Sequence, residues 1–431
     1  MHNDRQTIRP IVVGGDIGAY ATARAFHEAY GVHTVVLAGV RVGAVADSRI
    51  VDLRIEPGLE DPQRLAATVL EVIAESPQSL HLVLGSADWL VSAITSVREK
   101  LERAGAVVPY PDQAVIQRVA DKTSLLDLAR EVGAAHPATI TAVPAREKAP
   151  EIPFGYPVVV KPARTVAAEE LDYPGKAKVH VLHDAEQFGE LWSVMGTAGV
   201  EAPMLVQEFI PGPDSAMAAV NVFIDPDGRV RLAQFGRVLL EEHGPSAVGN
   251  SVAQMTMDPA GAQAQALGEV VEMLRRVGWR GFANADLKRD PDGAYRLLEI
   301  NPRVGRSGFA VTASGYNVAG MYGDAFLGEG PEDGWRTGPV RQWSRNVQEQ
   351  GPGGTVPVAT AQHVFTVVPW QVLRRYLSAP LRAQVRRLWR SGAATNPLYY
   401  PPERHPRRWA YIAAAMVNYG RKLARYHPSR R

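Results

Sequence analysis

Two hydrophobic periods alternate along the first hundred residues. "RPIVVGGDIGAYATARAFHEAYGVHTVVLAG", residues 9 to 39, has an apolar run, a glycine turn, a stretch of helical period and a second apolar run, which predicts strand, turn, helix and strand. Further strands are predicted at "HLVLGSADW" and "AVVPY", and helices over 61–75 and 89–104. Strands that alternate with helices predict a doubly wound α/β domain, and we place its end near residue 115.

The pattern changes from about residue 119. "VADKTSLLDLAREVG" predicts a helix and "YPVVVKPA" a buried strand, while "AAVNVFIDPDGRVRLAQFG" and "GFANADLKRDPDGAYRLLEIN" each predict a hairpin around Asp-Pro-Asp-Gly. Between the hairpins, Asp258 and Pro259 predict the N-cap and first turn of a helix that runs to about Val277. This region is therefore predicted to be α+β. The best linker candidate is "EQGPGGTVP" at 349–357, and the predicted domains are 1–115, 116–335 and 336–431.

The composition sets limits on the class of protein. The chain has 431 residues, 46% hydrophobic and 21% charged, which is typical of a folded soluble protein of two or three domains. It has no cysteine, so disulfides, thiolate metal sites and cysteine nucleophiles are excluded. The N-terminus is polar and lacks a signal-peptide core, and the apolar stretch 409–417 is shorter than the roughly 20 residues that span a bilayer. We therefore expect a cytoplasmic protein.

The charge is unevenly distributed. Residues 371–431 contain 14 Arg or Lys and one acid, a net +13, which leaves −11 for the first 370 residues. Because the basic residues are mixed with Trp, Tyr and Leu, the tail is typical of a helix that lies on anionic lipid, peripheral at the inner membrane leaflet. A basic helical extension packed on the catalytic body explains the same composition. A nucleic-acid partner is not expected, because no binding motif is recognisable and the body is acidic.

The glycine turn of the first domain argues against a dinucleotide. Gly14, Gly15 and Gly18 do not form G-x-G-x-x-G, and no acid ends the next strand, "TVVLAG", where a ribose ligand would be needed.

A cluster of polar residues surrounds the second hairpin. Glu299 and Asn301 share one face of a strand because they lie two residues apart, and Asp286 lies nearly opposite Glu299 because both are about equally far from the turn. Two carboxylates and an amide oxygen suit Mg²⁺. Arg303 and Arg306 follow and add the fixed positive charge that a site for a transferring phosphoryl group requires. For either acid taken alone, the alternative to a metal ligand is an exposed strand residue in a surface ion pair.

Two lysines upstream fit the same interpretation. Lys161 stands inside the apolar strand "YPVVVKPA", where a buried ammonium is costly unless it meets an anion such as an ATP phosphate. Lys122 opens a helix after Asp121, and alone it would be an ordinary surface lysine.

The order Lys122, Lys161, "VQEFIPGPD", Asp286 and "LLEINPR" resembles the ATP-grasp ligases. These enzymes clamp ATP between two α+β lobes behind an N-terminal α/β domain. The 13-residue spacing from Asp286 to Glu299 and the E-x-N triplet are the specific signals. The resemblance covers roughly residues 10 to 330 and fades beyond about residue 335.

The resemblance implies ATP and two Mg²⁺ ions, with Mn²⁺ as a substitute. It assigns the ATP phosphates to Lys122 and Lys161, the adenine to Gln207 with the backbone of Glu208, Phe209 and Ile210, the ribose to Asp214, the metals to Asp286, Glu299 and Asn301, and the phosphoryl group in flight to Arg303. The phosphate-covering loop is often glycine-rich in this family, but "ARTVAAEELDYPGKAKVHV" holds one glycine. Lys176 and Lys178 either replace it electrostatically or are loop-tip charges.

A narrower resemblance concerns the substrate. "FIPGPDSAM", "EEHGPSAVGNSVA" and "EINPRVGRSGFAVTASGYN" are similar to the D-aspartate ligase branch, which joins the β-carboxylate of D-aspartate to a side-chain amine of a nucleotide- or lipid-linked cell-wall peptide. This implies an acyl phosphate, with Arg306 and backbone N–H groups stabilising the oxyanion of amide formation. Arg237 then reaches the triphosphate or the substrate carboxylate, and His243 is a weak candidate base or a structural residue.

Two alternatives remain open. A ligase of natural-product or amino-acid metabolism would keep the chemistry and change the acceptor. A non-catalytic nucleotide sensor would keep only the fold, and the intact set of metal ligands and phosphate lysines argues against it.

Overall fold

The computed structural model describes residues 7–163, 172–177, 179–244, 247–328, 334–343 and 355–428. Lys178 and most of the predicted linker, residues 349–354, lie outside these ranges, and every structural statement below concerns the ranges alone.

The first domain is a five-stranded parallel sheet in the order β3-β2-β1-β4-β5, which confirms the predicted α/β class. Asp16 caps the first helix by accepting a hydrogen bond from the Ala19 N–H at 2.9 Å. The elements are β1 (Ile8–Val13), α1 (Ile17–Tyr30), β2 (Thr34–Ala38), β3 (Val51–Ile55), α2 (Pro62–Ala74), β4 (Leu80–Gly85), α3 (Asp88–Ser96), α4 (Arg98–Arg103) and β5 (Ala106–Val107).

A smaller lobe follows, with an antiparallel four-stranded sheet in the order β6-β9-β7-β8. It has a hydrophobic core of its own, in which Val158 and Val160 of the sheet lie with Phe188 and Trp192 of the covering helix. The elements from the first domain to this lobe are α5 (Gln113–Ala120), α6 (Lys122–Val132), β6 (Thr139–Ala142), β7 (Val158–Pro162), β8 (His180–Leu182), α7 (Ala185–Thr197) and β9 (Met204–Glu208).

The third unit is a nine-stranded, mainly antiparallel sheet that contains both predicted hairpins. Its main path runs β14-β13-β10-β11-β12-β17-β18, and β15 and β16 lie beside it. The elements up to residue 327 are β10 (Met217–Ile224), β11 (Val230–Glu241), β12 (Ser251–Met257), α8 (Ala262–Arg276), β13 (Gly281–Arg289), β14 (Tyr295–Asn301), α9 (Phe309–Ala313), α10 (Val318–Tyr322) and a π-helical turn (Gly323–Leu327).

The start of α8 was predicted wrongly. The helix begins at Ala262 behind Gly261, which has φ 53° and no side chain to cap with. Asp258 instead follows β12 directly, and its carboxylate pairs with Arg341 at 2.7 Å. The ion pair to a distant strand thus replaces the local cap that the sequence indicated.

The basic extension packs on the rest of the protein. Its strands pair with β11 and β12 of the large sheet, and Arg408 is 1% exposed, donating to the Ala44 carbonyl at 2.9 Å with its guanidinium over the Tyr20 ring. The elements are β15 (Val340–Trp343), β16 (Val356–Ala359), β17 (Val364–Thr366), α11 (Trp370–Leu373), α12 (Ala379–Arg390), β18 (Ala394–Thr395) and α13 (Pro406–Tyr426). No helix within the described ranges is long and apolar enough to cross a membrane.

Candidate active site

The β13–β14 hairpin brings the predicted metal ligands together. Asp286 and Glu299 are directly opposed, and Asn284 is opposed to Asn301. A bulge between Asp286 and Leu287 produces this register, since the pairing of Leu287 with Leu297 would otherwise continue to Leu298. The Asn301 side-chain nitrogen donates to Asp286 Oδ2 at 3.1 Å. The hairpin therefore forms a platform of two carboxylates and one amide, which we call the acidic platform (Asp286, Glu299 and Asn301).

A chain of buried amides fixes the orientation of this platform. Asn301 Nδ2 also lies 3.3 Å from Asn284 Oδ1, Asn284 Nδ2 donates to Asn221 Oδ1 at 3.1 Å, and Asn221 Nδ2 is 3.4 Å from Gln234 Oε1. All four amide residues are at most 8% exposed. Neither Asn221 nor Gln234 was singled out from the sequence, because their contact with the platform depends on which strands are neighbours.

The platform is electrostatically suited to a cation. Burial raises the pKa of Asp286 well above its ordinary value, and the opposed charge of Glu299 raises it further, while the hydrogen bond from Asn301 works in the other direction. Two half-buried carboxylates that face each other repel unless a proton or a cation lies between them. Hard oxygen donors in this arrangement fit Mg²⁺, with water or phosphate completing its shell.

Arg303 links the platform to the first domain. Its Nε lies 2.7 Å from Asp88 Oδ1, at the first residue of α3. Burial raises the pKa of Asp88, Arg303 lowers it, and the charges of Glu299 and Lys122 act on it in opposite directions. These couplings place Lys122 and Arg303 at one site beside the platform. Asp88 was not predicted as a site residue; the signal was its position just after β4, at the carboxyl edge of a parallel sheet.

Arg306 lies between two partners from different parts of the chain. Its Nη1 donates to Glu242 Oε1 at 3.2 Å and its Nη2 to the Tyr419 hydroxyl at 2.6 Å. Glu242 follows β11, and Tyr419 belongs to α13 of the basic extension. Neither partner was predicted from the sequence.

The predicted phosphate lysines lie near each other. The Lys122 backbone N–H donates to the Ala163 carbonyl at 3.3 Å, so the start of α6 rests against the end of β7, which carries Lys161. Both lysines are half-buried, whereas Lys176 is exposed.

The predicted adenine segment forms the end of β9. Gln207 is 4% exposed and donates to Thr139 Oγ1 at 3.0 Å. The N–H groups of Glu208 and Phe209 donate to backbone carbonyls at 2.8 and 3.4 Å, and Ile210 is buried. The Phe209 ring faces the Lys288 ammonium at 5.3 Å, which connects this segment to the strand of Asp286.

Asp214 lies in a polar cluster with two histidines. His243 Nε2 is 2.9 Å from Asp214 Oδ1, the Glu241 N–H donates to Oδ2 at 2.9 Å, and His427 Nε2 is 3.5 Å from Oδ2. Burial opposes ionisation of Asp214, but the hydrogen bonds from His243 and Glu241 outweigh it and lower its pKa. The hydrogen bond to Asp214 raises the pKa of His243. Asp214 and the two histidines lie within 4.8 Å of one another, a donor set that Zn²⁺ also accepts.

Charged groups also line the space between the cluster and the platform. Burial and the nearby Asp214 raise the pKa of Glu241 to about 7, and burial lowers the pKa of Lys288 against the opposing pull of Glu241. Arg237 donates from Nε to the Ser215 carbonyl at 3.0 Å, so it holds the backbone next to Asp214.

Comparisons with solved structures define the fold. N5-carboxyaminoimidazole ribonucleotide synthetase, solved with ADP, superposes with a TM-score of 0.56 at 14% identity, covering 91% of this chain and 99% of the other. The biotin carboxylase domain of the Hydrogenobacter thermophilus 2-oxoglutarate carboxylase, solved with ADP, magnesium and bicarbonate, gives 0.55 at 13% identity, with 84% and 86% covered. The fold is therefore the ATP-grasp fold, as the sequence predicted.

The sequence comparison identifies the family within this fold. The D-aspartate ligase of Enterococcus faecium is 32% identical over 321 residues, which cover 72% of this chain and 74% of that enzyme. No family model matches the chain. The chain belongs to the D-aspartate ligase family of ATP-grasp enzymes, which makes it an ADP-forming carbon–nitrogen ligase.

Proposed function

We propose that the protein joins the β-carboxylate of D-aspartate, or of a similar amino acid, to the side-chain amine of a peptidoglycan precursor peptide, using ATP. The observation that carries this proposal is the opposition of Asp286 and Glu299 beside Arg303 and Arg306, in a chain 32% identical to a D-aspartate ligase. A nucleotide- or lipid-linked stem peptide is the acceptor.

The acidic platform would hold two Mg²⁺ ions, for which Mn²⁺ can substitute. Bound there, the metal supplies charge neutralisation and orientation for the ATP phosphates. Because Nδ2 of Asn301 is turned toward Asp286, its Oδ1 is the amide oxygen available to a metal. The opposed carboxylates and the raised pKa of Asp286 support this role.

The nucleotide would lie between the small lobe and the large sheet. Gln207 and the backbone from Glu208 to Ile210 would contact adenine. The N–H groups of Glu208 and Phe209 donate within the protein, so we assign the adenine contacts to the Glu208 carbonyl and the Ile210 N–H. Asp214 would accept from the ribose hydroxyls, and Arg237 would orient the Asp214 turn or reach the triphosphate.

Phosphoryl transfer forms the first bond. A substrate carboxylate oxygen attacks the γ-phosphorus, the bond to the β–γ bridging oxygen breaks, and ADP leaves with an acyl phosphate remaining. Lys122, Lys161 and Arg303 would bind the phosphate oxygens and offset their charge. Lys176 would add a positive charge from the loop above.

Amide formation is the second step. The acceptor amine has an ordinary pKa near 10.4, so it must lose a proton before it attacks the acyl carbon. The carbonyl oxygen then carries the negative charge of the tetrahedral intermediate, and phosphate leaves when the carbonyl re-forms. Arg306 and the backbone N–H groups of 305–308 would stabilise that oxyanion.

Turnover with defined substrates tests the proposal. ADP release should require both an amino acid and an amine acceptor, and D-aspartate with a stem peptide should give the highest rate. A faster reaction with a free amino acid acceptor would favour the alternative ligase, and no turnover with any pair despite ATP binding would favour a sensor. Glu299→Gln should abolish ADP release and leave the fold intact. Glu71→Gln, an exposed change on α2, should keep both the fold and the rate of ADP release. An active Glu299→Gln protein would refute the metal assignment.

We also propose that the extension binds the anionic inner leaflet of the membrane or the diphosphate of a lipid-linked precursor. Four arginines of α12, Arg382, Arg386, Arg387 and Arg390, are exposed beside its buried Leu381 and Val385. Because the extension packs on the catalytic body, point changes are a cleaner test than truncation. Arg386→Glu with Arg387→Glu should reduce sedimentation with anionic vesicles, whereas Arg103→Glu on α4 should not. Unchanged vesicle binding and an unchanged precursor KM would refute this role.

A further inference from the structure

The last helix, α13, presents three polar side chains to the active site. Tyr419 contacts Arg306 at 2.6 Å, Lys422 Nζ lies 3.7 Å from Glu242 Oε2, and His427, just past the helix end, lies 3.5 Å from Asp214. Positions three and eight residues apart lie on one side of a helix. One side of α13 and the residue that follows it therefore line the site from Arg306 to the predicted ribose ligand.

The other end of α13 is fixed to the first domain. Arg408 donates to the Ala44 carbonyl and its Nε is 3.5 Å from the Glu403 carboxylate. Tyr411 packs so closely on Gly43 that a Cβ there would lie 2.1 Å from the ring. These contacts fix the start of α13 to the first domain, and the helix carries Tyr419 to Arg306.

Arg306 is a long side chain with many rotamers, and its two partners restrict it. Glu242 is buried and binds Nη1, while the Tyr419 hydroxyl accepts from Nη2. Burial raises the pKa of Tyr419 to about 12, so the phenol stays neutral at working pH and accepts the hydrogen bond without neutralising the guanidinium. Arg has five N–H donors, and these two contacts leave others for a substrate oxygen.

We propose that Tyr419 and Glu242 are positioning residues that aim Arg306 at the oxyanion of amide formation, so that the C-terminal helix is part of the active site. This rests on the proposed role of Arg306 in the second step. The basic extension thus supplies a component of the site that the small lobe and the large-sheet strands β10 to β14 do not contain.

Tyr419→Phe tests the proposal because it removes one hydroxyl and keeps the ring. A hydrogen bond to a charged group of this kind corresponds to roughly a tenfold to hundredfold change in rate. The variant should lose this factor in kcat for amide formation and keep its KM for ATP. Positional isotope exchange in ATP, measured with the amino acid and without an acceptor, reports the first step alone and should continue at the native rate, because that step is assigned to Lys122, Lys161 and Arg303. Tyr399→Phe, which changes an exposed tyrosine of the same extension, should alter neither rate.

The outcomes separate this inference from the proposed function. If Arg306→Lys forms amide at the native rate, the oxyanion role is wrong. If Arg306→Lys is impaired and Tyr419→Phe is not, the positioning role alone is wrong. Equal loss of isotope exchange and amide formation in Tyr419→Phe would show a merely structural role and would also overturn it. The variant that combines Arg306→Lys with Tyr419→Phe should form amide no more slowly than Arg306→Lys alone. If the two losses in rate were fully additive, coupling through Arg306 would be contradicted.

Discussion

The amide chain behind the acidic platform gives a sharp prediction at Gly305. A Cβ at this position would lie 2.8 Å from both Cγ and Oδ1 of the Asn284 side chain. Asn284 is 4% exposed and is bonded to Asn221 on one side and Asn301 on the other. Gly305→Ala therefore pushes on the residue that orients a predicted metal ligand, and it changes no ligand itself.

The magnitude follows from the distances. Ordinary carbon contacts begin near 3.5 Å, so the Asn284 amide must move by roughly half an ångström or more. Its bond with Asn301 is already 3.3 Å long, so this movement breaks it and leaves Asn301 held only by Asp286 and the Asn284 carbonyl. Loss of a supporting partner behind a metal ligand typically costs about 10- to 100-fold in metal affinity or activity. Overpacking at a buried site should also lower stability by about 1–3 kcal/mol.

The assay is ADP release as a function of Mg²⁺ concentration. Gly305→Ala should need at least about tenfold more Mg²⁺ for half-maximal rate, with circular dichroism showing that the protein is folded at the assay temperature. Gly189→Ala is the matched control, because a Cβ on that glycine of α7 meets no atom within 4 Å. A Gly305→Ala enzyme whose Mg²⁺ requirement and kcat lie within about twofold of the native values would refute the idea that the amide chain positions the platform.

Three further predictions concern charge and packing. Burial raises the pKa of Glu241 from its ordinary 4.5 to about 7, so between these pH values the native state holds a proton that the unfolded state has lost, and the free energy of unfolding falls by about 3 kcal/mol as pH rises through that window. Glu241→Gln should remove this fall, which urea unfolding at pH 5 and pH 8 would measure. A variant that loses as much stability between the two pH values as the native protein would contradict the prediction. Asp88→Asn should reduce kcat about tenfold by releasing Arg303 from its 2.7 Å ion pair, and native steady-state kinetics would argue against that link. Gly43→Ala should displace Tyr411 and lower the thermal midpoint and amide formation together; a thermal shift without a change in rate would separate the helix from catalysis.

The hairpin of the acidic platform could be predicted because its determinants are local. The Asp-Pro-Asp-Gly turn predicts the hairpin and brings Asp286 close to Glu299. Their direct opposition also needs the bulge between Asp286 and Leu287, without which Asp286 would face Leu298. The parallel sheet of the first domain followed in the same way from short-range alternation. At α8 the local signal failed, because the ion pair of Asp258 with Arg341, 83 residues away, replaced the expected cap.

The supporting residues of the site could not be predicted, because their contacts depend on how distant elements pack. Asn221 reaches Asn284 only because β10 and β13 are neighbours, and Asp88 reaches Arg303 only because the first domain docks on the loop after β14. Tyr419 is 113 residues from Arg306 in sequence. Spacing along the chain carries no signal for such pairs, although each involves a residue type that can be seen in the sequence.

The charge asymmetry of the chain has a structural explanation at the active site. The catalytic body places Asp214, Glu241 and Glu242 near the predicted nucleotide, and burial raises the pKa of Glu241. Lys422 of the extension lies 3.7 Å from Glu242, so one of the positive charges beyond residue 370 is opposed to an acid of the proposed site, and His427 lies beside Asp214. Anionic substrates need net positive surroundings, which the body alone, at −11, supplies poorly. We infer that Lys422 serves the proposed catalytic site directly, while the exposed arginines of α12 remain available to an anionic surface.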